Sequence, residues 1–398
     1  MNMRMLKTEL YKIYSKRVIW IAMIVFLGLF LFLKLQFIEN AGVKHTLEPM
    51  RSELSTAVAN EYFHEFVRSK EYRCSFDEIT QFIPQSVVDY IEQNKDYERA
   101  YNSLVVDLVS SVNNYFERID LRAAHIAELA EDVAKSDGSV LTKAKAKLLE
   151  TYQNTEVTME LNLESSANNF IDINHAVVFP GLIMLLIVVG LAGIYSDEYT
   201  SGTQAALLTS RKGRRGVFLS KLCAAAIYII NVVLVMELFY MVVTAICYHA
   251  PNSTISAAST YGLYLTTYPG TVYGFCIRQI LGTLLAGFTL GSIIMCLSAL
   301  SKNALIPFFG AGAYYGGTAL YANTITFPAY LSSLWSLPGE LSLFMLQTQY
   351  ELVAAGHYTS VFGWLVPTLT LNVILNAAIM VVCLLLCYRA YTRKQVKN

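Results

Sequence analysis

Six long apolar stretches, at residues 18–38, 174–195, 217–248, 271–300, 303–322 and 361–388, restrict this chain to few folds. A helix needs about 20 apolar residues to cross a bilayer, rising ~1.5 Å per residue. Inside hydrocarbon every backbone N–H and C=O must be bonded within the protein, so such stretches read as helices. The expected fold class is an all-α polytopic membrane protein with six transmembrane helices. Hydrophobic residues make up 55% of the 398 positions, more than an ordinary soluble protein carries. The first stretch is too long for a secretory leader and lacks a closing small-x-small site, so it reads as a retained span.

The formal net charge is zero, but the charges are segregated. Residues 39–173 hold 24 Asp/Glu against 13 Lys/Arg, and the rest of the chain holds 6 against 17. Basic residues crowd 1–17, 211–221, Lys302 and 389–397, whereas 249–271 and 323–360 contain none. That bias puts both termini and the 196–216 loop in the cytoplasm, with the 39–173 insert, the 249–270 loop and residues 323–360 outside. Within 1–17, Met3, Leu6, Leu10, Ile13 and Tyr14 recur at helical spacing among Arg4, Lys7, Lys12, Lys16 and Arg17. This pattern predicts an amphipathic elbow helix on the membrane surface.

The insert reads as helical. Tyr97, Tyr101, Leu104, Leu108, Val112, Tyr115, Ile119, Ile126, Leu129 and Val133 keep one face through a long helix. Asp137-Gly138 makes a turn, and Ser139 caps a second long helix marked by Val140, Ala144, Leu148, Tyr152, Thr155, Met159 and Leu163. Two such helices on a short turn pack antiparallel. Shorter helices fill 50–72 and 76–95, where Ser75-Phe76-Asp77-Glu78 is a capping box. His45, His64 and His125 are scattered without metal-ligand spacing, and Cys74 is the insert's one cysteine. Cys247 and Cys276 both approach the outer face, and the sequence leaves a bridge between them open. Residues 323–360 are apolar, but Pro338-Gly339-Glu340 interrupts any span, so short helices dipping into the outer leaflet are expected.

The stretch Tyr195–Lys221 is unlike a plain connection. It runs from an acidic pair, Asp197 and Glu198, through Gly202-Thr203 and a small apolar patch at Ala205–Leu208, to Arg211, Lys212, Arg214 and Arg215. A helix start, an apolar face and a basic end are what a short helix offered to another protein requires. Glu198-Tyr199-x-x-Gly202-Thr203, then Leu207-Leu208-Thr209-Ser210, Arg214-Arg215 and Lys221, resembles the loop after the second span in permeases of the ABC-2 transporter family. The order of elbow, large outer insert and outer re-entrant segment is similar over most of the chain.

The resemblance implies a permease subunit of an ATP-driven exporter in a bacterial plasma membrane, paired with a second permease as a homo- or heterodimer. The loop would be the coupling helix seated on a cytoplasmic ATPase, with Glu198, Tyr199, Gly202, Thr203, Leu207 and Leu208 as its coupling residues. In that reading Glu198 satisfies free N–H groups and the dipole at the helix start, Gly202 permits a sharp turn, Thr203 caps, and Leu207 with Leu208 enters the partner's groove. The chain has no G-x-x-x-x-G-K-[ST], so it is not expected to be an enzyme or to hold a cofactor; ATP and Mg belong to the partner. The cargo is a peptide, a lipid or an antimicrobial agent, and neither nucleic acid nor a metal is expected as a ligand. The family likeness also puts the polar aromatic face Tyr314, Tyr315, Thr318 and Tyr321 near the permease–permease interface and substrate path.

Two charges lie deep within spans. Glu237 and Arg278 each stand ~32 Å from the cytoplasmic side by helical rise, so an intramembrane ion pair is expected. Gly287-x-x-x-Gly291 and Gly312-x-x-x-Gly316 suggest close helix contacts. Two other readings fit parts of the pattern: a non-transporting receptor or scaffold of phage-infection-protein type, and a mechanotransmission ABC permease.

Overall fold

The computed structural model describes residues 3–41, 47–95, 98–135, 138–163, 178–203, 213–247, 254–260, 262–324, 331–332, 341–348 and 358–392. The chain begins with α1 (Met3–Tyr14) and α2 (Arg17–Ala41), bent by 59° at Ser15-Lys16. Leu6, Glu9 and Ile13 form the buried face of α1, and the Trp20 indole N–H, just past the bend, donates back to the Tyr14 carbonyl at 2.7 Å. The insert follows as α3 (Arg51–Val58), α4 (Glu61–Ser69), α5 (Phe76–Ile79), α6 (Gln85–Glu92), α7 (Glu98–Ala134) and α8 (Val140–Asn154). After it come α9 (Val178–Leu191), α10 (Ser196–Thr200), α11 (Gly213–Cys247), α12 (Val272–Leu300), α13 (Leu305–Thr324), α14 (Leu343–Thr348) and α15 (Thr368–Thr392). Three short strands, β1 (Leu331–Ser332), β2 (Tyr358–Val361) and β3 (Trp364–Pro367), depart from the all-helical expectation.

The insert is built on α7. Leu104, Leu108, Val112 and Phe116 recur on one face and bury against Phe63, Val67, Ile79, Val87 and Ile91 of the short helices. Two of the short helices have a capped start: Asn60 Oδ1 accepts from Tyr62 N at 3.0 Å, and Ser75 with Glu78 completes a capping box. The second hairpin helix is shorter than its sequence pattern implies. It ends at Asn154, and Thr155 takes extended angles, φ −111 and ψ 111. Residues 155–163 form a strap that returns along α7 with Leu161 and Leu163 in the core. Their alternate burial has the two-residue period of extended chain, and Thr155, Val157 and Thr158 are β-branched.

Asp120 of α7 fastens α4. It takes both arms of the Arg68 guanidinium, one of them at 2.8 Å, and the Tyr72 hydroxyl at 2.5 Å, with His64 Nε2 at 3.1 Å. Partial burial alone would raise the Asp120 carboxyl, but Arg68, Tyr72 and His64 outweigh it and hold it at about 2. The contribution is complete above the ordinary aspartate value and is lost as pH falls through about 2. Asp120→Asn is expected to remove on the order of 1 kcal/mol at neutral pH, and nothing below pH ~2. Hydrogen exchange of residues 61–69 in the full chain reads this; equal protection of variant and wild type at pH 7 contradicts it.

Among the described residues, four helices are long and apolar enough to cross a membrane: Phe179–Thr200, Arg214–Ile246, Val272–Leu300 and Thr368–Thr392. Counting the bent α1–α2 pair as one span gives up to five. Helix α12 is the centre of the bundle. A Cβ on Gly287 would meet Ile229 at 2.9 Å and Ile187 at 3.1 Å, and one on Gly291 would meet Ile229 at 2.6 Å. Those two glycines therefore let α12 approach α9 and α11 closely. Gly312 and Gly316 of α13 face open space instead.

Helix α14 is folded into the bundle. All six residues of α14 are buried, and neighbouring helices reach its backbone. Gln279 donates to the Thr348 carbonyl at 2.8 Å, and Asn372 to the Ser342 carbonyl, just ahead of α14, at 3.2 Å. The last span was expected from Val361, but the helix begins at Thr368 after a β2–β3 hairpin. Phe362 and Gly363 both have positive φ, 49 and 87, the two-residue turn that suits strand twist.

The insert is seated on the connection between α11 and α12. Arg118 donates to the Ser259 carbonyl at 2.9 Å, and Arg122 to the Tyr264 and Thr266 carbonyls at 2.8 Å each. The Tyr152 hydroxyl donates to the Leu265 carbonyl, and the Ser259 hydroxyl accepts from Glu160 N at 2.8 Å. The 249–271 connection carries no Lys or Arg, so the guanidiniums that satisfy its carbonyls come from α7.

Candidate functional site

At the other end of α12, roughly 40 Å away by helical rise, four charged side chains meet inside the bundle. Helix α9 ends at Leu191, and a turn leads into the five-residue α10. The first backbone N–H groups there, Tyr195 and Ser196, donate to the Ser298 hydroxyl at 3.1 Å each, which fixes the turn to the last turns of α12. Gly193 leaves room for Asp197, whose carboxylate would stand 2.2 Å from a Cβ at that position. Glu198 then points inward.

Its partner is Lys221, from the third turn of α11. The ammonium is fully buried, with Glu198 Oε1 at 2.7 Å, Glu9 Oε2 at 3.0 Å and the Ile194 carbonyl at 2.5 Å. Three acceptors match the three N–H donors of an ammonium. Lys221 also stands 5.1 Å from the centre of the Tyr195 ring. Glu9 and Lys12 of α1 close the cluster: Lys12 Nζ is 2.7 Å from Glu9 Oε1 and 3.1 Å from Glu198 Oε1. Partial burial alone would lower the Lys12 pKa, but the two carboxylates outweigh it, so it stands above the ordinary lysine value. Two carboxylates and two ammoniums give local neutrality, the condition under which buried charge is tolerated.

Lys16 and Asp197 form a more exposed pair at 3.3 Å beside a cavity of about 350 Å³. Ser15, Gly190, Gly193, Ser201 and Thr203 also line this cavity. Glu198 lines it too, with its side chain 5% exposed, and its Oε2 has no hydrogen-bond partner among the described protein atoms.

The expected coupling residues fall as follows. Glu198 was expected to serve the helix start; its described polar contacts are instead two lysines, and α10 has no side-chain cap. Tyr199 is half-buried, and Gly202 has φ +67, a left-handed turn that suits glycine. Thr203 is exposed, with its hydroxyl 3.0 Å from that of Ser201. Leu207 and Leu208 lie outside the described residues, as do Arg211 and Lys212. Arg214 donates to the Thr392 carbonyl at 3.1 Å, joining α11 to the end of α15.

The other candidates lie elsewhere. Glu237 is buried, with Oε1 accepting from the Thr283 hydroxyl at 3.3 Å. The Arg278 guanidinium carbon is 5.2 Å from the centre of the Tyr268 ring. Tyr314 donates to the Leu341 carbonyl at 3.2 Å and Tyr315 to Gln347 Oε1 at 3.0 Å, so both hold the α14 segment. The Thr318 hydroxyl bonds back to the Tyr314 carbonyl at 2.8 Å, and Tyr321 is half-buried. Cys276 is buried, and the Cys247 side chain lies outside the description.

Glu9 was the residue the sequence reading passed over. A lone carboxylate on the apolar face of a basic helix, in line with Leu6 and Ile13, was the available signal. The architecture is that of a mostly helical membrane protein in which a buried charge cluster ties α1, α10 and α11 together. Comparison with protein-family models, with curated proteins and with solved structures returned no match.

Proposed function

We propose that this chain is the permease subunit of an ATP-driven exporter of the ABC-2 type, moving a peptide, lipid or antimicrobial agent outward in partnership with a separate ATPase. The observation that carries the reading is the Lys221 cluster at the base of the 196–216 loop. A loop that takes a push from another subunit has to be stiff where it joins the bundle. Here Glu198 is bound to α11 and α1, and the preceding turn to α12, so displacement of the loop moves helices. In this reading six spans place both termini and the loop in the cytoplasm of a bacterium, and ATP with Mg is bound by the partner. The open side of α13 around Gly312 and Gly316 would face the second permease.

The test is co-purification. Leu207→Asp together with Leu208→Asp is expected to lose at least tenfold of the ATPase retained by the wild-type permease, since two apolar side chains offered to the partner's groove are replaced by charges. An ATPase held equally by both proteins, or none held by the wild type, favours the scaffold reading.

Within the span region we keep Glu237 and Arg278 as partners in one layer of the α11–α12 contact. Each alanine variant is expected to lower the folded yield several-fold, and the exchanged pair Glu237→Arg with Arg278→Glu to restore it. An exchange that folds as poorly as the single variants rules the pairing out.

A further inference from the structure

We propose that the cavity between α1, α9 and α10 seats the headgroup of a phospholipid bearing a primary ammonium beside its phosphate, of the phosphatidylethanolamine kind. The ammonium lies against Glu198 Oε2 and the phosphate against Lys16. This does not depend on the exporter reading, because it requires only that the chain lie in a membrane.

The first observation is the unused carboxylate oxygen. Glu198 is nine-tenths buried and lines the cavity; Oε1 carries both lysine contacts, while Oε2 has no partner among the described protein atoms. A buried carboxylate oxygen without a donor is costly, and a charged N–H donor is what best satisfies it. The second is the chemistry of the rest of the wall. Lys16 supplies a cation at the rim, and Ser15, Ser201 and Thr203 supply hydroxyls. A cavity of about 350 Å³ lined by Glu198, whose Oε2 is unpartnered among the described protein atoms, and by Lys16 suits a zwitterion with the ammonium toward Glu198.

The third is position. The cavity adjoins the 59° bend between α1 and α2, where Trp20 and Tyr14 stand next to Lys16. Tryptophan, tyrosine and lysine mark the headgroup layer of membrane helices. A choline headgroup has no N–H to donate, and a glycerol headgroup brings no cation to Glu198. Both should be discriminated against.

The experiment places the full chain in nanodiscs of equimolar ethanolamine, choline and glycerol phospholipids, transfers it to detergent and quantifies the retained lipid. The wild type is expected to hold the ethanolamine lipid in at least about tenfold excess over either competitor, the ratio of one charge-assisted hydrogen bond. Glu198→Gln removes the anion with little change of shape and should return the ratio to that of the bulk. Ser201→Tyr fills the mouth without touching the four clustered charges, and should do the same at an unchanged unfolding temperature. It carries the test if Glu198→Gln does not fold.

Retention in the bulk ratio by the wild type overturns the proposal. So does equal retention of the choline lipid, which shows that no N–H is read, or preference for the glycerol lipid, which assigns the cavity to the lysines alone. Millimolar O-phosphoethanolamine that stabilises the chain as well as the lipid does would assign the site to a soluble metabolite and overturn the lipid. A co-purifying polypeptide that displaces the retained lipid would assign it to a basic side chain of a partner and do likewise.

Discussion

Lys221→Met is expected to destabilise the protein by about 3–5 kcal/mol, the usual result of removing one member of a buried ion pair. The fully buried ammonium serves Glu198, Glu9 and the Ile194 carbonyl together. Its loss leaves two buried carboxylates sharing Lys12, whose side chain is 47% exposed and close to solvent. The size of the effect comes from that uncompensated charge more than from the lost attraction. Lys221→Met combined with Glu198→Leu should therefore recover most of the loss, because Glu9 and Lys12 still balance. Thermal unfolding in detergent measures both variants. A single variant within roughly 1 kcal/mol of wild type would show that this lysine is solvated and that the cluster does not hold the helices. If the loop is the seat of an ATPase, the same variant should also uncouple hydrolysis from transport even at temperatures where it remains folded.

Gly190→Ala is expected to cost about 3 kcal/mol, at the upper end for overpacking by one methyl group. A Cβ there would stand 2.3 Å from two ring carbons of Tyr228 and 2.5 Å from its hydroxyl oxygen. The ring has nowhere to go. Tyr228 is fully buried, donates to the Leu186 carbonyl at 2.7 Å, and meets Tyr14 edge-on at 5.7 Å. Helices α9, α11 and α1 thus converge on one aromatic side chain, and displacing it disturbs all three. Gly181→Ala on the same helix is the control: nothing lies within 4 Å of its Cβ, so its effect should stay within about 0.5 kcal/mol. Tyr228→Leu should restore part of what Gly190→Ala loses, by removing the clashing ring. Equal unfolding temperatures for the two alanine variants would contradict the close approach.

Much of the helical framework was legible because it follows from local period. The spacing of Leu104, Leu108, Val112 and Leu129 marked α7, and Ser75 with Glu78 marked the start of α5. The strap was misread because Thr155, Met159 and Leu163 satisfy a four-residue spacing, while the two-residue alternation beneath it shows only once burial is known. The β2–β3 hairpin was hidden for a similar reason. An apolar run from Val361 to Val366 looks like the start of a span until pairing partners are in place.

What the amino-acid order determined by itself was the division of the chain into an acidic helical insert and apolar helices, together with the sharp turn at Gly202. Composition, period and backbone freedom act over a few residues and need no partner. What only the tertiary structure decided was which charges meet. Glu9, Lys12, Glu198 and Lys221 are separated by as many as 212 residues. Glu198 passes for a helix-start residue and Lys221 for one more basic residue of the 211–221 stretch until α1, α10 and α11 lie side by side. Electrostatic pairing depends on distance in space, and that distance is set by the packing of every helix between them.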